Sequence, residues 1–173
     1  MNKKIMYIVT ILSTAVLLFL DQIAKYLAVL HLKGQAAFPI IKDVFELQYL
    51  ENQGAAFGIM QGKKTFFVIG TLIFLVIVVI LYHNIPLTKR FTPIRIVAVL
   101  IVAGAIGNMI DRVVHQYVID FFYFKLINFP IFNVADIYVV VACILFILLM
   151  LFYYKEEELG QIFPFMKNKK AEE

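Results

Sequence analysis

Four long apolar runs constrain this chain more than anything else in it. They cover residues 5–30, 65–82, 93–115 and 132–154. At a rise of about 1.5 Å per residue, each is long enough to cross a hydrocarbon core of about 30 Å as an α-helix. Lipid offers no partner to an unpaired backbone N–H or C=O, so such a run has to be helical. Composition agrees: 62% of residues are hydrophobic and 16% charged, against about 25% charged in a soluble domain. The expected fold is an all-α membrane protein with four transmembrane helices. It forms one embedded domain over residues 1–155, with a charged, exposed tail over residues 156–173. The first run follows Lys3 and Lys4 and starts like a cleavable signal peptide. Apolar residues resume past Asp21, however, and no small-residue cleavage site precedes a polar region, so it reads as a retained span.

The polar residues inside these runs carry the functional information. Ionisable groups near hydrocarbon are expensive and mark function by default. Residues 104–136 hold Asn108, Asp111, Arg112, Asp120, Asn133 and Asp136. In the first run Thr10, Thr14, Asp21 and Lys25 share one helical face, and Asp21 precedes Lys25 by four residues, a favourable acid-before-base pair. In the third, Gly104, Asn108, Asp111, Arg112 and His115 recur at steps of three and four, again on one face. Arg112 is the expected partner of Asp111. Asn133 and Asp136, one turn apart, open the fourth run.

With four spans, the end of the first, the end of the third and the start of the fourth lie on one side of the membrane whatever the orientation. Asp21, Lys25, Asn108, Asp111, Arg112, Asn133 and Asp136 therefore converge at one face. The connection 31–64 lies on that side and brings Asn52. The aromatic linker 116–130, of a composition suited to the headgroup level, brings Asp120. Alternation of apolar and polar residues over 44–50 predicts a short strand. Of the 16 lysines and arginines, nine lie on the side of the termini and seven on the other. The short, basic loop 83–95 weighs most in the positive-inside rule, so both termini are expected in the cytoplasm.

Several chemistries are excluded or left open. The net charge of +4 is scattered, which gives no nucleic-acid patch. His115 and His31 lack ligand spacing for a metal. Cys143 is alone in an apolar run, reads as a small core residue, and forms no internal disulfide. No serine or cysteine is placed as a nucleophile beside a histidine. Paired carboxylates remain. Two held close together share a proton, so one can activate water while the other acts as acid. Carboxylates facing a bundle interior also serve as proton or ion sites in transporters, or pair structurally with Arg112 or Lys25. A small proton-coupled transporter or channel subunit is thus the alternative, although it would need polar groups along a path across the membrane. A non-catalytic scaffold is a third reading.

Five ordered blocks carry a resemblance: Asp21-Gln-Ile-Ala-Lys25, Asn52-Gln-Gly-Ala-Ala-Phe-Gly58, Gly104-Ala-Ile-Gly-Asn-Met-Ile-Asp-Arg112, Val118-Ile-Asp-Phe121 and Phe129-Pro-Ile-Phe-Asn-Val-Ala-Asp136. Over residues 15–150 the chain resembles the signal peptidase II family, the bacterial aspartic membrane proteases that process lipoproteins. The resemblance implies cleavage of prolipoproteins just before a cysteine carrying a diacylglyceryl group, without metal or cofactor. It implies a multi-pass protein of the bacterial cytoplasmic membrane with its site near the extracytoplasmic face, working among membrane lipids and expected to be a monomer. The catalytic pair maps onto Asp120 and Asp136, whereas location alone favours the span-buried Asp111. Asn52, Gly54, Asn108, Asp111, Arg112 and Asn133 map as site-shaping or substrate-holding residues, and Asp21 and Lys25 as supporting ones. A small extracytoplasmic β-rich cradle is also implied, in keeping with the strand near residue 45. Ala24 stands where the family commonly has a hydroxyl residue, and Ile119 where valine is frequent.

Overall fold

The computed structural model describes residues 2–54 and 62–163. Among these, four helical segments are long and apolar enough to cross a membrane: Lys3–Leu32, Lys64–Asn84, Lys89–His115 and Val134–Tyr153. They match the predicted runs to within a few residues. Helix α1, Lys3–Leu32, is about 45 Å long and is capped by Asn2, whose side chain accepts from the Lys4 N–H. Helix α2 is Lys64–Asn84, and α3, Thr92–His115, has Pro93 in its first turn, where no hydrogen-bond donor is needed. Helix α4, Val134–Leu148, continues into a π-helical turn, Leu149–Tyr153.

The outer faces are apolar. Ile8, Leu12 and Phe19 on α1, Phe66, Ile73 and Val79 on α2, Ile144 and Ile147 on α4, and Leu151 in the π-helical turn are all exposed. This is the surface of a multi-pass membrane protein, facing lipid tails. Cys143 is also exposed on α4; the expectation of a core residue fails because α4 is apolar all round, so position within the run does not say which face a residue takes. Helix α3 is the central one. A third of its most apolar stretch (33%) is buried inside the protein, against 6% for α2 and 11% for α1 and α4.

Two glycines let the other helices close on α3. A Cβ at Gly104 would lie 2.6 Å from the Ala135 carbonyl oxygen, and one at Gly107 would lie 2.6 Å from Asp21 Oδ2. No side chain fits either place, and small residues are how membrane helices achieve this approach.

A three-stranded antiparallel sheet sits at one end of the bundle. Its strands are β1, Phe38–Ile41, β2, Phe45–Asn52, and β3, Val118–Tyr123, in the order β1-β2-β3. The alternation at 44–50 becomes β2. The linker reading of 116–130 is corrected by β3. Its first four residues are all buried, so it shows no period of two, although Val, Ile, Phe and Tyr favour strands. Ile119 and Phe121 of β3 pack with Ala28 of α1, seating the sheet on the last turns of that helix.

The tail is also corrected. Glu156–Ile162 forms α5. Ile162 is buried with Met6, Tyr82, Phe91 and Tyr154, and Glu158 pairs with Arg90 at 2.9 Å. The charges of this segment masked the apolar Leu159 and Ile162, spaced one turn apart. Residues 164–173 lie outside the described residues, as does the Ala55–Gly58 part of the second sequence block.

Candidate active site

Two groups of carboxylates form where α1 and α3 run toward the sheet and α4 begins. The first is built on Lys25. Its Nζ lies 2.9 Å from Asp21 Oδ2 and 2.9 Å from Asp111 Oδ2, and all three residues are fully buried. The expected Asp21–Lys25 pair therefore exists, although as a buried pair and not one reaching for the interface. The other contacts of these aspartates tie elements together. Asp21 Oδ1 accepts from the Ala135 N–H of α4 at 2.9 Å, and Asp111 Oδ2 accepts from the Ile119 N–H of β3 at 3.1 Å. Gln22 Nε2 donates to Asp21 Oδ2 and to Asp111 Oδ1, each at 3.1 Å.

Asp111 thus pairs with Lys25 and not with Arg112. Consecutive helical residues do not face each other. Arg112 turns away to donate to the carbonyls of Gly54, at 3.2 Å, and Asn108, at 3.4 Å, and its guanidinium lies 4.8 Å from the centre of the Phe67 ring.

The second group is Asp120 on β3 and Asp136 in the first turn of α4. Their meeting is set by the backbone. Phe122 and Phe132 exchange N–H···O bonds of 2.8 and 3.0 Å, which folds the segment between them back on itself and delivers residue 133 beside β3. Asn133 then caps α4. Its Oδ1 accepts from the Asp136 N–H at 3.0 Å while Asp136 Oδ2 accepts from the Asn133 N–H at 3.1 Å, a reciprocal capping box. The antiparallel pairing of β2 with β3, with Leu50 opposite Asp120 and Asn52 opposite Val118, brings Asn52 to the same place.

Three asparagines hold the two carboxylates, and each has its orientation set at the other end. Asn133 Oδ1 is taken by a backbone N–H, so its Nδ2 donates, to Asp120 Oδ1 at 2.6 Å. Asn52 Oδ1 accepts from the Gly54 N–H at 2.9 Å, and its Nδ2 donates to Asp120 Oδ2 at 2.9 Å. Asn108 Oδ1 accepts from Lys25 Nζ at 3.0 Å, and its Nδ2 donates to Asp136 Oδ1 at 2.8 Å. An ammonium or backbone amide can only donate, so all three side-chain amides are forced to point an N–H at a carboxylate. Asn108 is also the link between the two groups.

Asp120 is 2% exposed. Burial, and then the nearby charge of Asp136, push its carboxyl up to about 7. Both aspartates line a cavity of about 500 Å³ with Asn52, Asn108 and Arg112; its remaining walls are apolar, among them Phe129, Ile131 and Phe132. Ile137, Val140 and Val141 of α4 also line it and are exposed on the lipid-facing side, so the cavity borders the bilayer through that flank.

All ten residues singled out from the sequence, Asp21, Lys25, Asn52, Gly54, Asn108, Asp111, Arg112, Asp120, Asn133 and Asp136, are brought to this end of the molecule. His115 is not part of the site; it is exposed and stacks on Tyr117. His31 is exposed as well. Two participants were missed. Gln22 bridges both aspartates of the first group, and an amide inside a hydrophobic run was a signal for it. Gly107 gives Asp21 its room, and no single-sequence signal marks it apart from other small residues on α3.

The profile of a family described as signal peptidase (SPase) II matches residues 13–152. A lipoprotein signal peptidase of Caldanaerobacter subterraneus subsp. tengcongensis is 44% identical over 136 residues, which cover 78% of this chain and 90% of that one. One from Streptococcus pyogenes serotype M5 is 38% identical over 150 residues, 87% of this chain and 95% of the relative. Among solved structures, a bacterial membrane enzyme determined at 1.9 Å superposes with a TM-score of 0.72 at 33% identity, covering 84% of this chain and 94% of that one.

Proposed function

The chain belongs to the signal peptidase II family, and we propose that it is an aspartic endopeptidase with Asp120 and Asp136 as its catalytic pair. Its substrates are diacylglyceryl-modified prolipoproteins, whose signal peptides it removes by cutting before the lipidated cysteine. The observation that carries this reading is the shared hold of Asn133 on both carboxyls at the wall of one cavity. Among the described residues neither carboxyl makes an ion pair.

The pair shares one proton; burial and the charge of Asp136 raise the Asp120 carboxyl, in keeping with Asp120 as the acid of the pair. Asp136 accepts a proton from water, the hydroxide formed attacks the scissile carbonyl carbon, and Asp120 gives its proton to the carbonyl oxygen. Collapse of the tetrahedral intermediate breaks the C–N bond: the amine nitrogen leaves with the proton first taken by Asp136, and a hydroxyl of the intermediate returns its proton to Asp120, which restores the pair. Asn52, Asn108 and Asn133 keep the carboxyl planes fixed through these steps. Arg112 lines the same space, steadied by the Gly54 carbonyl, and is suited to holding the peptide.

The substrate enters sideways. The apolar cavity walls and the lipid-exposed flank of α4 let acyl chains stay in hydrocarbon while the peptide bond meets the carboxyls. The two termini lie on the cytoplasmic side and the site near the extracytoplasmic face, as the basic loop 83–95 implies. The alternative of a transporter or channel subunit is not favoured, because the polar side chains of the site crowd one end of the bundle.

The test is cleavage of a lipidated precursor by the purified protein in lipid, with EDTA present, beside the same precursor without its diacylglyceryl group. The lipidated form is expected to be cut at full rate and the bare form far more slowly. Acyl burial contributes about 0.8 kcal/mol per methylene to membrane partitioning. Loss of activity in EDTA restored by zinc would contradict the aspartic assignment, and equal turnover of both precursors would contradict entry from the bilayer.

A further inference from the structure

At the opposite end of the bundle the basic residues are not equally provided for. Arg90 has a full set of partners: the Glu158 carboxylate at 2.9 Å and the face of the Tyr153 ring at 3.8 Å. Arg95, in the first turns of α3, is 94% buried by its 6% exposure, yet no ion pair is recorded for it among the described residues. Its two terminal nitrogens donate to the carbonyls of Thr88, at 3.3 Å, and Pro86. Its Nε is buried with no hydrogen-bond partner among the described residues. A buried guanidinium without a counter-charge is costly in a membrane-spanning segment.

Arg95 and Thr92 line one end of a groove of about 610 Å³ between α1 and α3. Beyond them its walls are mostly apolar, with Val9, Leu12 and Val16 on α1 and Ile96, Val99 and Leu100 on α3. The lining on α1 extends from Met6 to Leu17, an advance of about 16 Å. That is roughly half of a 30 Å hydrocarbon core, the depth of one leaflet.

We propose that this groove is a binding site for one acidic phospholipid, with its phosphate paired to Arg95 beside the Thr92 hydroxyl and an acyl chain lying between α1 and α3. An anion supplies the missing counter-charge. The leaflet-long apolar channel leading away from the guanidinium specifies that the anion carries a hydrocarbon chain. The site is separate from the carboxylates and lies at the other end of α3.

The test uses delipidated full-length protein in detergent. Phosphatidylglycerol, phosphatidylcholine of the same chains, and inorganic phosphate are titrated separately, with native mass spectra and thermal melts as readouts. The expected result is one phosphatidylglycerol retained per chain and a rise in melting temperature of several degrees, with phosphatidylcholine bound about tenfold more weakly and phosphate without effect. Arg95→Gln should abolish the preference for the acidic lipid. That variant also loses the loop contacts to Pro86 and Thr88, so Val16→Trp, which fills the groove with Arg95 intact, provides an independent arm and should weaken retention of the lipid by a similar factor. Equal binding of the two lipids, the same stabilisation by phosphate alone, or undiminished retention of phosphatidylglycerol in Val16→Trp would overturn the proposal.

Discussion

The two carboxylate pairs at the sheet end of the bundle use the same residue type in the same neighbourhood, and differ in what holds them. Asp21 and Asp111 close on the Lys25 ammonium and take further bonds from Gln22 and two backbone amides. The bonds to Asp111, to the Ala135 N–H and to the Ile119 N–H tie α1, α3, α4 and β3 together, and the group lines no described cavity. Among the described residues, Asp120 and Asp136 are held by neutral amides alone, and both border the cavity. A cation fixes a carboxylate in its charged state and makes it a fastener. Neutral donors fix its position while leaving its protonation free to change, which acid–base work requires. Asn108 joins the two kinds, with Lys25 on its oxygen and Asp136 on its nitrogen, so the fastener aims part of the proposed catalytic machinery.

The contrast breaks most visibly if the fastener is removed. Lys25→Met leaves Asp21 and Asp111 buried side by side without a cation, at a cost of about 3–5 kcal/mol, a large share of the stability of most proteins. The expected outcome is little or no folded protein by yield and thermal melt in detergent. A well-folded Lys25→Met protein would mean that the pairing is not what holds α1 to α3.

A smaller effect is expected from crowding the same group. Gly107→Ala places a methyl 2.6 Å from Asp21 Oδ2 and pushes the carboxylate off the Ala135 N–H, costing about 1–3 kcal/mol. Gly70→Ala, on α2, meets nothing within 4 Å and serves as the control. Its melt should be unchanged or slightly raised, since alanine favours helix. Equal melts for the two variants would show that the close approach at Gly107 is not tight.

The amide-held pair is sharpened by pH. Asp120, pushed up to about 7, loses its proton as pH rises through that value. If it is the acid, the rate should fall above pH 7, approaching about tenfold per unit, and the apparent value belongs to the pair. Initial rates on a lipidated precursor between pH 6 and pH 9, values chosen to bracket about one unit below and two above, measure this. A rate that climbs across the whole range would give Asp120 the opposite role.

The legibility of these features in the sequence follows their physics. The spans were readable because hydrocarbon tolerates only continuous helix. The convergence of polar residues was readable because four crossings fix which ends share a side. The sheet was half readable. β2 alternates because one face is open, whereas β3 is buried on consecutive residues and looked like an aromatic linker. The partner of Asp111 was misread because Arg112 is adjacent in sequence while Lys25 is on another helix. The pairing of Asp120 with Asp136 was not readable from spacing. It depends on the fold-back between Phe122 and Phe132, and it came from the resemblance of the two short blocks that carry these residues.

The most direct test of the division between the pairs is to make the same substitution in each. Asp120→Asn, Asp136→Asn and Asp111→Asn are compared by initial rate on a lipidated precursor and by thermal melt in the same detergent. In the first two, the amide can neither take water's proton nor supply one, so rates should fall by about a thousandfold or more with melts close to wild type. Asp111→Asn should lower the melt, by about 1–3 kcal/mol of stability, and retain a measurable rate. Near wild-type cleavage by Asp120→Asn, together with a dead but stably folded Asp111→Asn, would contradict the assignment and put the chemistry on Asp111.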